Sequence, residues 1–595
     1  MGFFSLKGGR VGYALQSLRD HLGHAHKRKL AGLAVLIFIS AILDVFGLAS
    51  IIPIISAATN PSFISENMVL GFLYQLTGFE NETNFLLFLI SALLVVFVIK
   101  SIFGIFVNYL QCRLAANIAV ALSERQYKKF FSVPYYEFQR QSTYKMQRDI
   151  ITNPGSYVQW IVFSLIALLS EGLIAFLIIG GIAAFNINLF LFIVATIVPA
   201  TIILLRKIRK YNATTGSEIN RNMPLALGSV GQALNGYIDI KLAQRESFYK
   251  KEFIEYQKLL QWNNVKHLLM NMIPFRTNEV IALLGMVIIF IYSLLLTEGN
   301  HQIVTLIGLF AAASYRLMPS INRIINALNF ISTNQVVIDN LYHNIHFLSY
   351  HEREMSAQVP LSFEHEIELR NIVFTYPESL EPVLNGISLK AAKGEKIGFV
   401  GSSGSGKTTL MNILLRFYTE QSGSLLVDGV PLTANHVASW HQKIGYVKQD
   451  IFLLDGTVAQ NIALGESEPN PDLLRQAVVH ASLAELVDSL PHGIDTLVGE
   501  RGSRLSGGQK QRIGIARALY RNAEIFIFDE ATSALDNQTE REVTEAIDKL
   551  SASNRTIFII AHRITTLKSC NSIVELKDGH VAGTHTYENL IARIL

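Results

Sequence analysis

Residues 396–415 read KIGFVGSSGSGKTTLMNILL, and this stretch decides the fold of the C-terminal part of the chain. Its first five residues have the pattern of a buried strand, and its last seven that of a helix. The loop between them, residues 401–408, matches G-x-x-x-x-G-K-[ST]. Because glycines let backbone N–H groups curl around phosphate, the stretch predicts a nucleotide-binding P-loop. The predicted phosphate-binding residues are Gly401, Ser402, Ser403, Gly404, Ser405, Gly406, Lys407, Thr408 and Thr409.

A second apolar run, residues 525–530, reads IFIFDE and ends in two carboxylates. We expect Asp529 to join the Thr408 hydroxyl in ligating Mg²⁺, while Lys407 reaches the outer phosphates. Glu530 is then suited to polarise the water that attacks the terminal phosphate. An Asp-Glu pair after a strand is common, but together with the P-loop it predicts nucleoside triphosphate hydrolysis.

Between these motifs lies Leu505-Ser506-Gly507-Gly508-Gln509, which resembles the signature pentapeptide of the ABC transporter nucleotide-binding domain. The resemblance extends motif by motif over about 361–595. It implies that Tyr376 stacks on adenine and that Gln449 contacts both Mg²⁺ and the membrane domain. It also implies that His562 is the switch histidine that acts with Glu530 in catalysis.

The pentapeptide also predicts a dimer. A Ser-Gly-Gly turn at the start of a helix presents N–H groups to an anion. In the family this turn grips ATP held by the opposite subunit, which assigns that role in trans to Ser506, Gly507, Gly508 and Gln509. Since one chain has one P-loop and one pentapeptide, we expect a homodimer with two ATP sites.

Composition indicates a membrane protein. Of the 595 residues, 50% are hydrophobic and only 16% charged. The near balance of 51 Lys and Arg against 47 Asp and Glu gives no case for nucleic-acid binding. Two cysteines, Cys112 and Cys570, are too few and too far apart in sequence to indicate a disulfide framework or a metal site. Six apolar runs are near or above the length of about 20 residues that crosses a bilayer: 31–56, 84–110, 157–182, 185–205, 275–297 and 303–331.

These patterns predict an α-helical transmembrane domain with six spans, followed by an α/β P-loop ATPase domain. This order resembles that of the ABC exporters, which implies a transmembrane domain of the ABC exporter type. The predicted domains are an interfacial helix in 1–30, a membrane domain over 31–345, a linker over 346–360 and the ATPase domain over 361–595. The N-terminal helix has an apolar stripe made of Val11, Ala14, Leu15 and Leu18.

Charge distribution predicts the orientation. Lys and Arg are frequent in 1–30, 111–156 and 206–272, whereas 57–83 contains none. The positive-inside rule therefore places both termini and the ATPase domain in the cytoplasm. The resemblance to bacterial exporters implies that the membrane is a bacterial inner membrane. Within the two long cytoplasmic connections we expect short docking helices near 117–124 and 224–235.

The predicted spans contain the charged residues Asp44, Lys100, Glu171, Arg276, Glu279, Arg316 and Arg323. A charge at mid-bilayer costs about 2.5–3.5 kcal/mol on the insertion scale, so it usually faces a cavity or a partner. One interpretation is a substrate cavity in which Lys100, Arg276, Arg316 and Arg323 receive an anionic headgroup such as a diphosphate. The other is that the cations pair with the carboxylates as internal struts.

Two short stretches suggest the substrate. Residues 44–53, DVFGLASIIP, and 136–143, YEFQRQST, resemble the bacterial lipid-linked oligosaccharide flippases. This resemblance implies ATP-driven transfer of a polyprenyl diphosphate sugar from the inner to the outer leaflet. The alternatives are an exporter of another lipid, a drug or a peptide, and an ATP-gated channel or receptor. Glu530 and His562 disfavour the last, because both belong to the hydrolytic pattern.

Overall fold

The computed structural model divides the chain into two compact units. A membrane unit comprises Met1–Ser132 and Gln141–Leu348, and an ATPase unit comprises Ser349–Leu595 together with the short segment Val133–Arg140. The residues that the structure describes are 9–50, 53–54, 57, 62–79, 81–185, 187–296, 300–341, 359–531, 537–551, 554–561 and 563–594. Most of the predicted linker, as well as His562, lies outside them.

The membrane unit is helical. Its helices are α1 (Gly9–His21), α2 (His24–Ala49), α3 (Ser62–Glu66), α4 (Met68–Thr77), α5 (Glu82–Ser132), α7 (Thr143–Gln147), α8 (Asn153–Tyr157), α9 (Phe163–Phe185), α10 (Ile187–Asn235), α11 (Tyr237–Leu242), α12 (Glu246–Leu296) and α13 (Asn300–Thr333). Helix α6 (Tyr135–Gln139) lies in the segment grouped with the ATPase unit. Two π-helical turns, Arg148–Thr152 and Val158–Val162, join α7, α8 and α9 into one continuous helical run.

Three stretches of helix are long and apolar enough to cross a membrane, counting only the part of the chain that the structure describes: His24–Gly47, Glu82–Ser132 and Thr143–Ala184. The other three predicted spans fall within α10, α12 and α13, where many side chains lie outside the description. Helices α5, α10 and α12 have 51, 49 and 51 residues. Each is more than twice the length that a bilayer requires, as the helix-forming connections between the spans predict.

Helix α1 differs in one detail from the predicted apolar stripe. Ala14 and Leu18 are buried, but Leu15 is 52% exposed, and Ser17 is buried instead. The Ser17 hydroxyl lies 3.1 Å from the hydroxyl of Tyr157. A buried hydroxyl needs a hydrogen-bond partner, so a polar residue can occupy this position on the packed face. The placement of α1 at a membrane interface stays a prediction.

The ATPase unit contains two sheets. The first is antiparallel, in the order β2-β1-β4-β5, with strands β1 (Glu366–Phe374), β2 (Leu384–Ala392), β4 (Ser422–Val427) and β5 (Val430–Pro431). The second has the order β10-β9-β3-β8-β7-β6, with strands β3 (Lys396–Val400), β6 (Ile444–Val447), β7 (Ile525–Asp529), β8 (Thr556–Ile560), β9 (Ser572–Lys577) and β10 (His580–His585). Strands β3, β6, β7, β8 and β9 are parallel.

The ATPase unit also contains helices. They are α14 (Lys407–Leu414), α15 (Val437–Lys443), α16 (Val458–Ile462), α17 (Pro471–His480), α18 (Ala484–Ser489), α19 (Gly507–Tyr520), α20 (Asn537–Ser551) and α21 (Tyr587–Ile594). Strands β7 and β8 are buried along almost their whole length, which explains why their sequences are continuous apolar runs without alternation.

Candidate functional site

The sheet edge formed by the carboxyl ends of the parallel strands gathers most of the predicted nucleotide-binding residues. The P-loop follows β3, Gln449 comes shortly after β6, and Asp529 and Glu530 stand at the end of β7. Because β3, β8, β7 and β6 are adjacent and parallel, these segments leave the sheet at the same edge. Ligands of open α/β sheets bind at this edge.

The P-loop is curled around the ammonium group of Lys407. Its Nζ donates to the carbonyl oxygens of Gly401 at 2.7 Å and of Ser402 at 2.8 Å. The loop requires glycine at Gly401, where φ is +152° and a Cβ atom would lie 2.2 Å from the carbonyl oxygen of Leu576. Ser402, Ser403, Gly404 and Thr408 are exposed, so the outer side of the loop is open to a phosphate chain.

Burial and two neighbouring carboxylates have opposite effects on the pKa of the Lys407 ammonium. Burial lowers the pKa of the Lys407 ammonium, and the nearby carboxylates of Glu530 and Asp529 act in the opposite direction. Glu530 itself has φ of +53°, in the left-handed region that non-glycine residues seldom adopt. Its backbone N–H donates to the carbonyl oxygen of Ile560 at 3.1 Å, which holds this conformation. Backbone strain of this kind is frequent at functional sites.

Asp529 has a partner that the sequence analysis did not identify. The hydroxyl of Tyr446 on β6 donates to Asp529 Oδ2 at 3.0 Å. Burial and the neighbouring Asp529 raise the pKa of Tyr446, so the phenol remains protonated and a donor. Oxygen ligands suit Mg²⁺, and Asp529 and the exposed Thr408 hydroxyl both offer them beside the phosphate loop.

The predicted adenine-stacking residue is connected to the P-loop helix. The Tyr376 hydroxyl lies 2.9 Å from Thr409 Oγ1 on α14. Its half-buried ring packs edge-on against Phe374 and Tyr418, with centroid distances of 5.2 and 5.8 Å. Tyr376 therefore stands beside the phosphate loop, where an adenine ring attached to bound phosphates can reach it.

The signature pentapeptide begins α19. Ser506 caps this helix: its Oγ accepts from the N–H of Gln509 at 3.3 Å, and its own N–H donates to Gln509 Oε1 at 2.8 Å. Ser506 and Gly507 are exposed, whereas Gly508 is buried. Among the described residues no hydrogen bond or ion pair joins the pentapeptide to the P-loop of the same chain. The structure therefore does not assemble these predicted residues into one site.

A second residue absent from the sequence analysis, Gln511, fixes the backbone around Gln449. Its side-chain amide nitrogen donates to the carbonyl oxygens of Lys448 at 2.9 Å and of Gln449 at 2.6 Å. Gln511 lies on α19, two residues beyond the pentapeptide. It thus links the signature helix to the segment that carries Gln449, whose own side chain is exposed.

The segment 133–140, which follows α5 in the chain, packs within the ATPase unit. The ring of Tyr136 lies 6.1 Å from that of Tyr376, and the hydroxyl of Tyr418 donates to Gln139 at 3.1 Å. The guanidinium of Arg140 pairs with the Glu378 carboxylate. Residues 117–124 lie within the long helix α5 and so do not form the separate short helix that was predicted; a docking role there stays a prediction. Residues 224–235 form the end of α10, and a docking role there stays a prediction.

The membrane unit contains a polar cavity of about 520 Å³. Three of the four predicted substrate-binding cations, Lys100, Arg316 and Arg323, line it together with Asp44 and Glu171. Lys100 Nζ lies 2.7 Å from one Asp44 oxygen, and Arg316 lies 2.8 Å from the other. Each of these cations therefore pairs with a carboxylate, as the strut interpretation expects.

Glu171 forms the other half of this arrangement. It pairs with Arg323, lies 3.7 Å from Arg316 Nη1 and accepts a hydrogen bond from Ser320 at 2.6 Å. Arg276 lies apart from this group. Its side chain is 77% exposed, it pairs with Glu279 at 3.2 Å, and it is absent from the described lining of the cavity.

Comparisons with known proteins agree with this architecture. The family model for the ABC transporter matches residues 384–533. An ATP-dependent lipid A-core flippase of Thiobacillus denitrificans is 30% identical, over 86% of this chain and 88% of that protein. A protein of the same description from Vibrio cholerae is 28% identical, over 87% of this chain and 88% of that protein.

A solved structure shows the fold. It is described as a bacterial Atm1-family ABC exporter with ATP bound, and it superimposes with a TM-score of 0.77. The match covers 95% of this chain and 97% of the other, at 23% sequence identity. The predicted fold class, a helical membrane domain followed by a P-loop ATPase domain, is thereby confirmed.

Proposed function

The chain belongs to the ABC transporter family as an exporter-type half-transporter, and from that premise we propose that it flips an anionic, lipid-linked substrate across the membrane. It hydrolyses ATP, and the hydrolysis drives transport. We propose as substrate a polyprenyl diphosphate sugar, moved from the inner to the outer leaflet of a bacterial cytoplasmic membrane. Both termini and the ATPase unit would then be cytoplasmic.

The observation that carries the proposal is the charge of the membrane cavity. Its described lining has three cationic side chains and two carboxylates, which leaves one positive charge per chain. Two chains that face a common cavity would supply two surplus positive charges. A diphosphate diester carries two negative charges, so a single lipid-linked diphosphate would neutralise the pair of cavities. Arginine also binds phosphate oxygens with two parallel hydrogen bonds.

The ATP site would be completed by a second copy of the chain. Ser506 and Gly507 are exposed at the positive end of α19, and among the described residues they have no bond to their own P-loop. We propose that Ser506, Gly507, Gly508 and Gln509 hold the terminal phosphate of ATP bound by the partner subunit. The functional form would then be a homodimer that closes on ATP and opens after hydrolysis.

Within each site the residues would have separate roles. Lys407 and the loop N–H groups would bind the phosphates, and the Tyr376 ring would hold the adenine. Thr408, Gln449 and Asp529 would hold Mg²⁺, which offsets charge on the phosphates when bound. Glu530 would accept a proton from the attacking water, and His562 would act beside it as the switch histidine.

Reconstitution of the full chain in nanodiscs tests the substrate. We expect an undecaprenyl diphosphate oligosaccharide to stimulate ATP hydrolysis more than lipid A-core does, and uncharged hydrophobic drugs not to stimulate it. In proteoliposomes, labelled lipid-linked oligosaccharide should become accessible in the opposite leaflet only with ATP. Stimulation by lipid A-core alone would assign the substrate named for the relatives, and stimulation by drugs alone would refute an anionic lipid.

A further inference from the structure

The five charged side chains of the membrane cavity form a row of alternating sign. The order is Lys100, Asp44, Arg316, Glu171 and Arg323, and every neighbouring pair contains an N···O distance below 4 Å. The row joins α2, α5, α9 and α13, so no single helix determines it. Cations stand at both ends.

The members of the row differ in the number of their partners. Arg316, in the middle, contacts both carboxylates. Among the described residues, Lys100 and Arg323, at the ends, each contact one carboxylate. The Arg323 side chain is also 58% exposed, whereas that of Glu171 is 5% exposed. An anionic headgroup that enters the cavity can therefore accept hydrogen bonds from those N–H groups of Lys100 and Arg323 that these ion pairs do not use. For the other N–H groups of the row it must compete with Asp44 or Glu171.

The carboxylates are consequently fixed competitors of the headgroup. Asp44 and Glu171 occupy the positions on the cations that phosphate oxygens would take. Glu171 is held in place by the Ser320 hydroxyl as well as by the two arginines. Opposite charges at such short N···O distances affect each other's binding equilibria, and the effect is strongest around Glu171, whose side chain is only 5% exposed.

We propose that Asp44 and Glu171 are specificity-determining residues that set how much negative charge the headgroup carries. They neutralise two of the three cations, so each chain accepts about one further negative charge. Highly charged amphiphiles are disfavoured by repulsion from the two carboxylates, and uncharged ones leave the end cations without a new partner. This inference rests on the proposed function, since it assumes that the cavity receives an anionic lipid.

The test uses three lipids with the same tail and increasing headgroup charge: undecaprenol, undecaprenyl monophosphate and undecaprenyl diphosphate. The full chain is reconstituted in nanodiscs, and the lipid fraction that gives half-maximal ATPase stimulation is measured. Asp44→Asn and Glu171→Gln should each lower this fraction for the diphosphate about tenfold, the usual size of the effect of one adjacent charge. The shift should be smaller for the monophosphate and absent for the alcohol.

The matched control is the double variant Asp44→Asn/Lys100→Met, which removes one charge of each sign and restores the net charge of the cavity. It should return the half-maximal fraction for the diphosphate towards the wild-type value. Should Asp44→Asn fail to fold, Glu171→Gln tests the same claim, because the Gln carbonyl still accepts the bond from Ser320.

The outcomes separate the two proposals. If the wild type responds equally to all three lipids, the anionic-lipid function fails. If the wild type distinguishes them but both carboxylate variants keep its preference, the function stands and the role of Asp44 and Glu171 is refuted. Equal shifts for the alcohol and the diphosphate would also refute it, since they indicate a structural effect without charge selectivity.

Discussion

Replacing Tyr446 with Phe should weaken the use of Mg²⁺ by the ATPase while leaving the fold intact. The change removes the hydroxyl that donates to Asp529 Oδ2 at 3.0 Å and keeps the ring that packs beside the core. A hydrogen bond to a charged group contributes about 1.5–3 kcal/mol. Asp529 is partly accessible to water, which compensates some of the loss, so we take the lower value of about 1.5 kcal/mol.

This free energy corresponds to about a tenfold higher half-saturating Mg²⁺ concentration. The half-saturating Mg²⁺ concentration should rise and not fall, because a carboxylate has about four acceptor positions. The bond from the tyrosine therefore orients Asp529 without blocking a metal ligand. The assay is steady-state ATP hydrolysis at fixed saturating ATP with Mg²⁺ titrated.

Two measurements make this prediction refutable. The thermal melting temperature should change little, because the aromatic ring is retained. Asp529→Asn, the matched control, should impair Mg²⁺ dependence more strongly than Tyr446→Phe. An unchanged Mg²⁺ titration for Tyr446→Phe, in a protein whose Asp529→Asn variant is impaired, would show that the hydroxyl does not orient the carboxylate.

Glu530→Gln should keep ATP binding but lower steady-state turnover about 10²–10⁴-fold, because an amide cannot accept a proton from water; near wild-type turnover would exclude Glu530 as the base. Lys407→Ala should instead weaken ATP binding itself, as nucleotide trapping would show. Ser506→Arg should abolish hydrolysis despite an intact P-loop, and mixing it with Lys407→Ala chains should restore activity through one intact composite site; full activity of Ser506→Arg alone would contradict the trans arrangement. Tyr136→Ala should reduce the lipid stimulation of ATP hydrolysis relative to the variant's own basal rate, whereas Glu137→Ala, an exposed neighbour, should not.

Local sequence patterns predicted the parts of the site that are local in structure. The P-loop, the helix after it and the carboxylates that follow β7 each depend on consecutive residues, and the structure has all three. The bond from Tyr446 to Asp529 joins residues 83 positions apart, and nothing in either sequence neighbourhood indicates it. The same holds for Gln511, which contacts the backbone at Gln449 from another helix.

The break in the helical run at 133–140 could have been predicted from the sequence. Residues 82–132 contain no proline, and α5 continues past 117–124 without interruption. The first strong helix breaker is Pro134, which lacks an N–H and disfavours a helical conformation in the preceding residue. The short helix after Pro134 contains the aromatic pair Tyr135 and Tyr136, and these rings pack on Phe417 and Tyr376.

The two interpretations of the intramembrane charges are compatible once the order of the row is considered. From sequence alone, each cation was either a strut or a ligand, because pairs such as Asp44 and Arg316 lie 272 positions apart. In the structure Arg316 holds both carboxylates and so has the environment of a strut; removing one member of such a buried pair typically costs about 3–5 kcal/mol. Within the described part of the chain, Lys100 and Arg323 each pair with one carboxylate, and they stand at the ends. A headgroup can therefore bind the end cations while the central pairs keep the helices together, and the same row can serve stability and recognition at once.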